Sequence, residues 1–173
     1  MSGHPLHPPL TDATIGIYTA ATVFGALGVL GVSEENMAIA WWLSLVVGLV
    51  VTAPTAVTGL ADWLQIERRT ELWKTATAHL GAMVTATVVF LLAAIVGHGG
   101  YVDREVTGGG LVLTVVGFGL LTLGGWLGGT VVFVHGMRVL GLVDERFGRA
   151  VSPVAHLEKI EGAEGRTSDT DTG

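Results

Sequence analysis

The chain of 173 residues has no cysteine, which excludes disulfides, thiolate zinc sites, cysteine nucleophiles and cysteine-ligated iron–sulfur clusters. Charge is also scarce: 14% of residues are Asp, Glu, Lys or Arg, against about a quarter in an ordinary soluble domain. With 9 basic and 15 acidic residues, the chain offers no basic footprint for nucleic acid. Of the five prolines, only Pro54 falls inside a long apolar run. No Gly-x-Ser-x-Gly elbow, phosphate loop, paired-carboxylate site or His-Glu-x-x-His helix is present, so no catalytic residue is assigned.

What is there is apolar. Four stretches, 13–33, 36–61, 75–102 and 106–137, hold no charged residue. Each can supply the roughly 20 residues that a helix needs to cross the hydrocarbon core. The expected fold is therefore all-α: an integral membrane four-helix bundle with short loops and a disordered acidic tail. Spans are expected at about 13–32, 37–60, 73–96 and 111–140. They follow a His/Pro arm (1–12) and precede a cytoplasmic amphipathic segment and tail (141–173). Residues 1–12 lack Lys and Arg, so the first span reads as a permanent helix rather than a cleaved signal. Asp12 or Thr11 is placed to cap it, Trp41-Trp42 suits a bilayer interface, and His98-Gly99-Gly100 is expected to end the third span. Thr52 and Thr55 are expected to satisfy the carbonyl freed by Pro54.

Four spans return both termini to one side of the membrane. That side collects Arg68, Arg69, Lys74, Arg138, Arg146, Arg149, Lys159 and Arg166, and the other holds Arg104 alone. The positive-inside bias predicts an inner-membrane protein with N- and C-termini in the cytoplasm.

The histidines are unevenly spread. His79 lies five residues after Lys74, and His135 lies three before Arg138, so both are expected near the same surface. His4 and His7 precede the first span on that side, while His98 and His156 read as solvent-facing. At 100° per residue, Gly117, Gly124, Gly128 and His135 share one helical stripe. Gly48, Thr52, Thr55, Gly59 and Asp62 form a second stripe. Two histidines on facing helices, with small residues clearing space, are the pattern of axial haem b ligation. The expected cofactor residues are thus His79, His135, Gly124 and Gly128, with Arg138 or Arg68 near the propionates. A divalent transition metal held by His79, His135 and one or both of His4 and His7, with Asp62 and Asp12 orienting a ring nitrogen, is the second option. A proton- or quinone-handling site is the third. Against these stands a non-catalytic membrane scaffold, in which glycines at four-residue spacing only let helices approach and histidines only pack and hydrogen-bond.

The segment His4-Pro-Leu-His-Pro-Pro-Leu-Thr-Asp12 resembles the opening of a bacterial membrane-protein family known as domain of unknown function 2231. So do Gly59-Leu-Ala-Asp-Trp63, His79, and Gly124-Gly-Trp-Leu-Gly-Gly129 leading to His135-Gly136. The resemblance runs from about Gly3 to Val139. It implies a four-span membrane protein, sometimes found fused to or alongside Rieske-type iron–sulfur proteins. This chain has no cysteine and no room for such a module, so a Rieske-type redox partner would be a separate protein. The other expected partners are the lipid bilayer and, as a homo-oligomer, further copies of the chain.

Overall fold

The computed structural model describes residues 6–137 and 139. His4, Arg138, His156, the expected amphipathic segment and the tail lie outside the described residues. Four helices follow one another: α1 (His7–Val29), α2 (Glu34–Trp63), α3 (Glu71–Asp103) and α4 (Gly108–Phe133). No strand occurs among the described residues. All four helices are long and apolar enough to cross a membrane. Each packs on its neighbours in sequence, and α1 closes the ring against α4. The pairs α1/α3 and α2/α4 therefore face one another diagonally across a central axis.

The helix boundaries differ from those read in the sequence, each for a local reason. Helix α1 begins at His7, not near residue 13, with Leu6 as its N-cap and Pro8 and Pro9 in its first turn. Proline is tolerated there because first-turn N–H groups have no helical acceptor anyway. Neither Thr11 nor Asp12 caps it; the Thr11 hydroxyl donates to the His7 carbonyl inside the helix. Helix α3 runs through His98-Gly99-Gly100 and stops at Asp103, where Arg104 takes the left-handed conformation (φ 58°). Gly100 sits against the backbone of Glu105, an approach that a Cβ would block. Helix α4 ends at Phe133, so His135 lies in the turn beyond it rather than on the span.

Two further expectations are corrected by hydrogen bonding and burial. Thr52 and Thr55 bond the carbonyls of Gly48 and Val51, not that of Val50, which Pro54 frees. A threonine hydroxyl reaches the carbonyl four residues back on its own face, and Val50 stands at neither spacing. Trp41 is not an interface residue. Its indole is fully buried on the central axis, and its Nε1 donates to Thr114 Oγ1 at 3.1 Å.

Large apolar side chains such as Val50, Val57, Ile95 and Val112 point outward. The interior instead holds small residues, four buried threonines and a few aromatics. That inversion suits lipid, where close backbone approach and internally satisfied hydroxyls hold helices together. Tyr18 stacks on Phe90 with ring centroids 3.8 Å apart and an interplanar angle of 3°.

Candidate histidine pair at one end of the bundle

His7, in the first turn of α1, lies beside α2. Its Nδ1 is 3.0 Å from the Thr55 carbonyl and 3.4 Å from Thr58 Oγ1. His79, on α3, lies beside α4 in the same manner, with Nδ1 2.8 Å from the Gly124 carbonyl. A carbonyl only accepts, so each ring donates Nδ1–H to it, and in the uncharged ring Nε2 then carries the lone pair. The two rings meet across the axis, with centroids 6.5 Å apart and planes at 78°.

Glycines make this reach feasible. Gly59 and Gly128 stand four residues beyond the two acceptor carbonyls, directly over them on their helices. A Cβ on Gly59 would lie 2.6 Å from His7 Cε1, and one on Gly128 would lie 3.0 Å from His79 Cε1. Both rings occupy the space that a side chain would fill. The tautomers should be visible in 15N spectra of histidine-labelled protein. His7 and His79 are both expected to carry a proton on Nδ1, and a ring protonated on Nε2 alone would contradict the geometry.

The structure sorts the expected site residues. It brings His79 to Gly124 and Gly128, and it pairs His79 with His7. It does not pair His79 with His135, whose Nε2 is 3.0 Å from Thr75 Oγ1, one turn before His79 on α3. Asp62 lies near the C-terminal end of α2, three residues beyond Gly59. Among the described residues, no three His, Asp or Glu groups converge closely enough to hold a metal ion. The expected metal set of His7, His79 and His135 with Asp62 is therefore not assembled there, and His4 lies outside the described residues. The small-residue stripes are filled by neighbouring side chains: Gly48 by Tyr18, Gly117 by Phe90 and Gly124 by Met83. Sequence reasoning missed the carbonyls of Thr55 and Gly124 as the anchors of the two rings. The signal available was a glycine four residues after each.

A family model described as "Predicted membrane protein (DUF2231)" matches residues 3–141, most of the chain. The chain belongs to the DUF2231 family. No curated protein and no solved structure matches it. Membership agrees with four membrane-spanning helices, and the family description names no reaction. What this DUF2231 member can do chemically rests on its own residues. It offers two imidazoles, oriented by backbone carbonyls, at one end of a packed bundle.

Proposed function

We propose that this DUF2231 protein is a metal-holding membrane subunit of an electron-transfer assembly, with His7 and His79 as its ligands. One observation carries the reading: both rings give Nδ1–H to a backbone carbonyl and leave Nε2 for a ligand. That is the outer arrangement of most metal-bound histidines. Spacing supports it. Two imidazoles on one ion, at metal–nitrogen distances of about 2.0–2.1 Å, put their ring centroids up to roughly 6.4 Å apart. The observed 6.5 Å is that of a collinear pair, and a tetrahedral ion, with centroids roughly 5 Å apart, needs the rings to close by about an ångström.

Imidazole suits zinc, copper, iron and nickel, and bis-histidine ligation also suits haem b. A single ion fits the pair once the rings close on it. A porphyrin fits less well, because Met83 and the His79 ring already cover Gly124 and Gly128. When bound, either centre would supply one-electron chemistry if iron or copper, or structural cross-linking if zinc. A separate Rieske-type protein would serve as a redox partner in the electron-transfer case. By the excess of Lys and Arg on their side, the termini and the histidine end face the cytoplasm across the plasma membrane.

A scaffold role is the second reading, and the closed interior favours it: Tyr18, Phe90 and Trp41 fill the axis as a purely structural bundle requires. Detergent-purified protein, expressed with iron, copper, zinc and haem supplied, separates the readings. Metal analysis should find about one ion per chain. A Soret band that shifts with dithionite would assign that metal to haem. A colourless, metal-free sample would overturn the proposal in favour of the scaffold.

A further inference from the structure

The surroundings of His7 and His79 are alike in too many details to be separate solutions. The helix α1 residues Thr14, Tyr18, Ala21, Gly25 and Gly28 are buried, and moving 72 positions on gives Ala86, Phe90, Ala93, Gly97 and Gly100. Every one of these is buried on α3. On α2, the buried Trp41, Leu45, Gly48, Thr52 and Thr55 become, 69 positions on, Gly110, Thr114, Gly117, Leu121 and Gly124. All of these are buried on α4. The contacts repeat as well. Tyr18 fills Gly48 as Phe90 fills Gly117, and His7 fills Gly59 as His79 fills Gly128. His7 bonds the Thr55 carbonyl as His79 bonds that of Gly124.

We propose that the four-helix unit is two copies of one helical hairpin, α1–α2 and α3–α4, related by a two-fold axis along the bundle. That axis passes between His7 and His79, so the site takes one ligand symmetrically, a single metal ion held by one imidazole from each hairpin. The symmetric ligand rests on the metal-holding reading; the duplication does not. Helices α1 and α3 run the same way, so the repeats are parallel and both imidazoles come to one end of the bundle. Side chains on the axis obey the symmetry in either of two ways. Tyr18 and Phe90 stack on each other across it. Trp41 instead fills the axis alone, and its counterpart Gly110 has no side chain, because one volume cannot hold two indoles.

The test moves the indole to the other copy. Trp41→Gly alone should lower the thermal midpoint of the full chain in detergent by about 10 °C. Adding Gly110→Trp, Leu45→Thr and Thr114→Leu rebuilds the same arrangement from α4, and should recover at least half of that loss. A four-fold variant no more stable than Trp41→Gly, or one that does not fold, overturns the duplication. Zinc titration of the full chain tests the symmetric ligand separately. His7→Ala and His79→Ala should each weaken binding by about tenfold or more, as loss of one of two equal ligands requires, and His135→Ala should leave it unchanged. Binding lost in only one of the pair, or lost with His135, overturns the symmetric site. Absence of zinc binding in the unsubstituted chain overturns the metal reading and, with it, the symmetric ligand; the indole exchange still decides the duplication.

Discussion

Replacing Trp41 with alanine is expected to destabilise the bundle by about 3 kcal/mol, the lower end of the range for emptying a buried Trp site. The indole is fully buried and touches glycines on three different helices: Gly25, Gly97 and Gly110. None of those glycines has a side chain to move into the vacated space. The cavity therefore persists, and the lost dispersion contacts are not replaced. The low end applies because the alternative environment is lipid, so little aqueous transfer energy is at stake. The lost hydrogen bond adds little, since the Thr114 hydroxyl also donates to the Gly110 carbonyl. Denaturation in mixed micelles, followed by circular dichroism, measures the difference. Trp126→Ala serves as the control, because Trp126 is 70% exposed and a change there should stay within about 0.5 kcal/mol. Equal losses in the two variants would contradict the packing described.

The second large effect is expected at Gly128. Leucine there must displace the His79 ring, which lies 3.0 Å from the would-be Cβ. The ring then leaves the Gly124 carbonyl and loses its fixed tautomer and direction. Metal affinity should fall by about 100-fold although both histidines remain, the upper range for losing a ligand's orienting partner. Overpacking should add about 1–3 kcal/mol of destabilisation. Gly125→Leu is the matched control in the same helix, since nothing lies within 4 Å of its would-be Cβ. If both variants keep zinc binding in a titration, the histidine pair is not the site.

This contrast also marks what the sequence could and could not reveal. Gly124/Gly128 and Gly125/Gly129 are indistinguishable as small-residue pairs. The angular stripe through His135 selected the first pair, and that pair does face α3. Four helices were legible because lipid leaves no alternative for a charge-free run of this length. Their ends were not, because proline and glycine were read as breaks. Pro8 and Pro9 stand where the helix needs no donors, and Gly100 serves a close backbone contact inside α3. Read as a break, Pro8-Pro9 leaves His7 in an arm before the helix, and His135 then stands as the histidine nearest His79 in depth. The repeat is fainter still. Few positions coincide, among them His7/His79, Gly25/Gly97, Gly28/Gly100, Gly48/Gly117 and Gly59/Gly128. The two helices of the hairpin also repeat at different spacings, so no single shift aligns them. Burial reveals the correspondence because membrane interiors constrain size rather than identity.

The filled axis has an electrical consequence. Past the histidines, the stacked Tyr18 and Phe90 and then the Trp41 indole close the middle of the bundle. An ion or proton moving on from the imidazoles would meet these packed rings. Driving one elementary charge across a membrane at 100 mV involves about 2.3 kcal/mol, and a leak at this site would dissipate that store. On the metal-holding reading, the bundle would exchange charge with one compartment while insulating it from the other. It would act as a socket set in a wall, not as a hole through it.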